Sequence, residues 1–185
     1  IGPGLSASEK SISLVRKILE HFTGNCILDA SGFLSLSDYK TTAFSKLPKK
    51  TILTPHYGEL SKILNISAKE LYNNTIEILM DISDKLEDRI IILKGPNTII
   101  VNGYNDIYLI SNGNQLLSTA GSGDILTGVI GSYISNGYSL EESAILGTYI
   151  HSECSNILSQ KKYENISASQ IIDSIPKVQS QLRDY

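Results

Sequence analysis

The sequence is short of several things, and each shortage removes a class of protein. Only two cysteines occur in 185 residues, Cys26 and Cys154. They are too few and too widely separated for a structural zinc site or a disulfide-stapled domain. Cys26 lies in a strand-like run, so a buried, reduced thiol is expected there, and a cytoplasmic protein with it. No apolar run approaches the ~20 residues that a membrane helix needs, and no secretory signal pattern is recognisable. A net charge of -3, from 16 basic and 19 acidic residues, provides no basic field for nucleic acid or an anionic membrane surface. There is no low-complexity linker and no repeat of solenoid type. The initiator methionine is missing too: the chain opens Ile1-Gly2-Pro3-Gly4 and is expected to begin inside something longer.

What is present points to a single globular domain over residues 1–185. Hydrophobic residues make up 41% and the mean hydropathy is -0.02. A chain of this length buries roughly 70% of its unfolded surface. Short apolar runs at 26–29, 51–54 and 89–94 alternate with helical periodicities, and 98–101 with 107–110 reads as a hairpin around Asn102-Gly103. Ser6 with Glu9, Ser67 with Glu70, Ser139 with Glu142 and Ser167 with Gln170 have capping-box spacing. The first opens a helix carrying Ile12, Val15, Leu19 and Phe22. The second opens a long helix through Leu71, Ile78, Leu79 and Ile82. The last contains Pro176, which predicts a break or kink. Strands alternating with helices predict an α/β fold with a mostly parallel sheet covered on both faces.

The chemistry concentrates at residues 119–137. Ala120-Gly121-Ser122-Gly123 runs directly into an apolar-periodic segment predicted to begin at Asp124 and stop at Asn136-Gly137. The first N–H groups of a helix have no partner inside it, and the macrodipole adds positive charge there, so such an end receives anions, phosphate above all. Asp124 adds a carboxylate that could take a proton from a hydroxyl attacking phosphorus. It could equally do no more than cap the helix. On Gly-Ser-Gly-Asp alone both readings stand.

Five stretches fall at predicted strand ends or just before helices: Gly2-Pro3-Gly4, Asp29-Ala30, Thr54 to Glu59, Lys94 to Thr98 and Ala120 to Asp124. The carboxyl ends of parallel strands share one edge of a sheet, where ligands of open α/β folds bind. Together the five resemble the ADP-dependent NAD(P)H-hydrate dehydratase family of the ribokinase-like superfamily. That family's landmarks are a GPG turn, a strand ending in DAD, a TPHxGE turn, an LKGxxT turn and a GSGD helix start. Four are intact and in order here, spanning the chain to about His151.

The resemblance implies a ribokinase-like three-layer αβα sandwich, with the family's further N-terminal βα units outside this chain. It implies dehydration of NAD(P)H hydrate back to NAD(P)H, with ADP or ATP as co-substrate and Mg²⁺ as cofactor. It places the hydrated nicotinamide nucleotide near Gly4, His56 and Asp124, with Asp124 as the base. It places the adenine nucleotide along Lys94, Gly95, Pro96, Asn97 and Thr98, and the transferring phosphoryl group on Gly121, Ser122 and Gly123. Glu59 would help to hold Mg²⁺ through water, or else stabilise the first turn of its helix. His56 reads as a ligand contact or a structural histidine. Lys94, ending a buried strand, needs a phosphate or a salt-bridge partner. Asp29 is either a site residue or the opening of an Asx turn. Family members form homo-oligomers, and a separate N-terminal fragment would complete the sheet. Ser31 replaces the second acid of DAD. His21 and His151 have no assigned role. A small-molecule hydroxyl kinase of the same superfamily and a non-catalytic nucleotide-binding subunit are the competing readings.

Overall fold

The computed structural model describes residues 1–37, 42–163 and 165–183. Their strands are β1 (Cys26–Leu28), β2 (Thr51–Leu53), β3 (Ile90–Leu93), β4 (Thr98–Val101) and β5 (Ile107–Ile110). They form one sheet in the order β1-β2-β3-β4-β5. Ile27 lies opposite Ile52 and Leu53 opposite Ile91 in parallel register, whereas Ile92 meets Ile100 antiparallel. All four residues of β3 are buried, which is why its sequence is an uninterrupted Ile-Ile-Ile-Leu rather than an alternating pattern.

The chain divides into two compact units, one comprising Ile1–Gly95 with Ile99–Tyr108, the other Pro96–Thr98 with the chain from Leu109 onward. In the first, α1 (Glu9–His21), α2 (Tyr57–Leu64), α3 (Ala68–Asn73) and α4 (Thr75–Ser83) enclose a core that includes Val15, Leu28, Leu53, Leu60, Leu79 and Ile91. In the second, α5 (Ser122–Ser135), α6 (Leu140–Gln160) and α7 (Ala168–Arg183) pack around Ile125, Val129, Ile150, Cys154, Ile157 and Ile171. Both cysteines are free thiols and buried. Burial pushes the Cys26 thiol up. Burial and then the neighbouring Glu153 carboxylate push Cys154 up to about 12. No helix among the described residues is long and apolar enough to cross a membrane.

Helix ends show where local rules decide. Ser139 and Glu142 form the expected reciprocal capping box on α6, and the Ser139 N–H and hydroxyl hold the Glu142 carboxyl below its ordinary range. The Ser6–Glu9 box does not form. Ser8 caps α1 instead, accepting the Ser11 N–H at 3.3 Å, while Ser6 bonds to the hydroxyls of Ser8 and Ser11. Phe22, expected on the buried stripe, ends α1 and is 45% exposed. The long helix expected after Ser67 is two helices, because Asn74 leaves helical geometry at φ -122°, ψ 31°. Conversely, α7 runs through Pro176 without a break. A proline at that position removes the donor for the Ile172 carbonyl, and Ile172 is exposed, so water can serve it.

Candidate active site

The first unit gathers three of the sequence-predicted stretches, Gly2-Pro3-Gly4, Asp29-Ala30 and Thr54 to Glu59, with Lys94-Gly95 of a fourth, at the carboxyl edge of β1, β2 and β3. Gly2 has φ 127°, and a Cβ there would stand 1.7 Å from the Asp29 carbonyl oxygen. Only glycine allows that approach. The Asp29 N–H donates to the Ile1 carbonyl at 3.0 Å, so the Gly2-Pro3-Gly4 turn is stitched to the end of β1. Gly4 stays exposed. Next in the sheet, the Thr54 N–H donates to the Leu28 carbonyl (3.1 Å) and the Lys94 N–H to the Pro55 carbonyl (2.8 Å), with a parallel bridge between His56 and Lys94.

The side chains at this edge are paired. Lys94 Nζ donates to Asp29 Oδ1 at 2.8 Å, with Asp29 buried to 1% and the lysine side chain 24% exposed. A buried carboxylate requires such a partner, so the salt bridge left open by the sequence is the contact formed, and Asp29 is no Asx cap: its side chain makes no cap bond to the 3-10 segment Ala30–Leu36 that follows. Ser31 sits in that segment. His56 is the N-cap of α2. Its Nδ1 accepts the Glu59 N–H at 3.2 Å, and its own N–H donates to Glu59 Oε2 at 2.8 Å. The imidazole Nε2 is 3.5 Å from Glu59 Oε1. His56 and Glu59 thus form a capping box, with the histidine ring exposed at the turn.

Among the described residues no cluster of three or more His, Cys, Asp or Glu could cage a metal ion. Such a donor set suits Mg²⁺ only with substrate phosphates and water as its other ligands, which is how that ion is commonly held. Glu59, partly exposed at the turn, fits that role.

In the second unit, α5 begins two residues before the predicted Asp124. Gly121 is the N-cap at φ 84°, a left-handed conformation that glycine adopts without penalty. Asp124 is therefore a third-position residue of the first turn and not the cap, and its carboxylate is exposed. The Ser122 N–H turns back to the Thr119 carbonyl at 3.2 Å. Gly123 and Asp124 remain as first-turn N–H groups, which have no partner inside a helix. Gly121, Ser122 and Gly123 thus stand at the amino end of α5, with the Ser122 N–H bonded within the turn. Beside Asp124 a groove of about 580 Å³ is lined by Gly128, Ser132, Tyr133, Ile172 and Gln179, among others.

A profile describing NAD(P)H-hydrate dehydratase matches residues 1–177. The chain belongs to the NAD(P)H-hydrate dehydratase family. It is 36% identical over 179 residues to a bifunctional NAD(P)H-hydrate repair enzyme of Dictyoglomus turgidum, covering 95% of this chain and 34% of that one. It is 29% identical over 186 residues to an ADP-dependent (S)-NAD(P)H-hydrate dehydratase of Neisseria meningitidis, of which it covers 62%. The solved structure of the ADP/ATP-dependent NAD(P)H-hydrate dehydratase of Bacillus subtilis, co-crystallised with ATP/Mg2+, superimposes with a TM-score of 0.84 at 28% identity, over 98% of this chain and 64% of that one. The chain therefore spans about a third of the bifunctional relative and less than two thirds of the others. The fold is the α/β, ribokinase-like fold of the dehydratase family, as the motifs implied.

Two residues of this family member escaped the sequence reading. His151, on α6, is 7% exposed and its Nε2 lies 3.0 Å from Ser122 Oγ. A lone histidine at helical spacing carries no signal of such a contact. Arg89, buried at the entrance to β3, donates to the carbonyls of Leu47 (2.6 Å) and Leu86 (3.1 Å). It ties segments together and stands apart from the strand ends. His21, by contrast, is exposed, with Nδ1 at 2.8 Å from the Lys17 carbonyl.

Proposed function

We propose that this chain returns hydrated NAD(P)H to NAD(P)H at the expense of ADP, through a phosphorylated intermediate. The observation that carries the reading is the exposed Asp124 carboxylate in the first turn of α5, beside first-turn N–H groups that an anion can use, in a chain of this family. Asp124 accepts the proton of the hydrate hydroxyl as its oxygen attacks the terminal phosphorus of the nucleotide. The phosphoryl oxygens gather charge at that moment, and the Gly123 and Asp124 N–H groups, with the helix dipole behind them, stabilise it. AMP leaves with the other phosphate. The new C–O–phosphate bond then breaks with loss of the adjacent C–H proton, which releases inorganic phosphate and restores the ring double bond.

Gly4 and His56 contribute to the wall for the hydrated nucleotide. Lys94, Gly95, Pro96, Asn97 and Thr98 take the adenine nucleotide. An ammonium has three donors, and the bond to Asp29 occupies one. Glu59 would help to hold Mg²⁺ through water, and the ion would supply charge neutralisation on the nucleotide phosphates.

The deciding assay mixes the protein with NADH hydrate, Mg²⁺ and either ADP or ATP, and follows the return of NADH absorbance. Recovery with one nucleotide, and its near-complete loss in Asp124→Asn with nucleotide binding intact, is the expected result. A phosphorylated product that persists without elimination would mean a kinase. Normal turnover in Asp124→Asn would remove the base from the mechanism.

A further inference from the structure

We infer that His151 is a positioning residue for the phosphoryl-handling end of α5, acting through Ser122; this rests on the proposed activity. Ser122 is the residue at which the chain passes from left-handed Gly121 into helix, and both of its polar groups are tied. Its N–H is held by the Thr119 carbonyl at 3.2 Å and its hydroxyl by His151 Nε2 at 3.0 Å. Thr119 is itself anchored, its hydroxyl donating to the Ile166 carbonyl at 2.9 Å. The two ties fix the orientation of the first turn, and with it the directions of the Gly123 and Asp124 N–H groups and of the Asp124 carboxylate two residues on.

The docking of α5 on α6 does not need the histidine. A Cβ on Gly147 of α6 would stand 2.6 Å from the Ile130 side chain and 3.2 Å from its backbone, so the two helices already meet in direct backbone contact one turn away from His151. The buried residues of α6 around it are Ala144, Gly147, Ile150 and Cys154 together with the hydroxyl-bearing Thr148, Ser152 and Ser155. From that face the ring reaches across to α5, where it meets the Ser122 hydroxyl. Ser122 and His151 are both sealed, at 5% and 7% exposure, so the bond acts on the helix end from behind and leaves the ligand side to the backbone.

The test uses the whole chain with NADH hydrate, ADP and Mg²⁺, and reads kcat, the hydrate KM and the ADP Kd. His151→Ala and Ser122→Ala should each lower kcat roughly ten- to a hundredfold, the scale on which a small misplacement of reacting groups acts. Each should weaken ADP several-fold, with the hydrate KM nearly unchanged. The double variant should be no slower than the slower single one, because both remove the same bond. His151→Gln, which keeps a side-chain amide near Ser122, should recover most of the loss. A histidine that serves packing alone would lower stability and leave kcat in place. Wild-type kcat and ADP affinity in Ser122→Ala, or losses that multiply in the double variant, would overturn the inference. Ser122→Ala removes a single hydroxyl and decides the matter if His151→Ala does not fold. A wild type that binds ADP without producing NADH refutes the proposed activity instead, and His151 is then judged by ADP affinity alone. A wild type that binds no ADP ends both.

Discussion

Replacing Lys94 by methionine takes the ammonium from a carboxylate that has almost no access to water. Asp29 is 1% exposed and bonded to Lys94 at 2.8 Å, whereas the lysine side chain keeps 24% exposure. Removing one partner of a fully buried ion pair costs roughly 3–5 kcal/mol. The partial exposure of Lys94 places this pair at the low end, about 3 kcal/mol. The opposite deletion is milder. Asp29→Asn leaves an ammonium on a flexible stem that can turn to solvent, with a loss of about 1–2 kcal/mol in hydrogen bonding. The double variant should recover about 1 kcal/mol relative to Lys94→Met, since the amide that replaces the Asp29 carboxylate carries no charge. Urea unfolding at neutral pH, followed by far-UV circular dichroism and by tyrosine emission, measures all four proteins. Lys94→Met within about 0.5 kcal/mol of wild type, or Asp29→Asn costing more than Lys94→Met, would refute the reasoning. A Lys94→Met protein of normal stability that no longer binds ADP would show that phosphate, and not Asp29, is the partner that matters.

Three further outcomes are expected. Gly147→Ala drives a methyl into Ile130 and should destabilise the protein by about 1–3 kcal/mol, the usual range for overpacking, seen as a lower urea midpoint; Gly128, where a Cβ meets nothing within 4 Å, should accept alanine. His56→Ala removes the side-chain cap of α2 and should lose about 1 kcal/mol, while His56→Asp, which keeps a capping oxygen, should lose little. For Cys154, the unfolded thiol ionises near its ordinary 9.0 while the folded one holds its proton to about 12. Between those values the folded state binds the extra proton, so stability falls as pH rises; Cys154→Ala should flatten that decline by about 1.4 kcal/mol per pH unit, measured as unfolding free energy from pH 8 to 11.

The legible parts of the fold were those in which one local rule acted unopposed. The four apolar residues of β3 suit a strand covered on both faces, and they form one; Ser139 with Glu142 forms the expected cap. Where rules competed, the sequence misled. Ser6, Ser8 and Ser11 all offer hydroxyls within one turn of α1, and the one with extended backbone geometry won. The apolar spacing from Leu71 to Ile82 continues across Asn74, so periodicity could not reveal the break. Pro176 does not break α7, since the cost of a proline depends on whether the orphaned carbonyl is buried, and Ile172 is exposed. The candidate site was legible only as five motifs in order along the chain. Their pairings were not, because Asp29 meets Lys94 across 65 residues and Ser122 meets His151 across 29, distances over which sequence carries no geometry.

The two sealed sulfurs have a practical consequence. Each compact unit contains one of them, Cys26 in the first and Cys154 in the second, at 4% and 0% exposure. A maleimide cannot reach either until the surrounding core opens, and a thiol alkylates only as thiolate. Brief pulses of reagent along a denaturant series, followed by mass analysis of the two cysteine peptides, would therefore time the opening of each unit separately. Coincident labelling curves would mean one cooperative molecule; separated curves would identify the unit that opens first, without a single substitution in the chain.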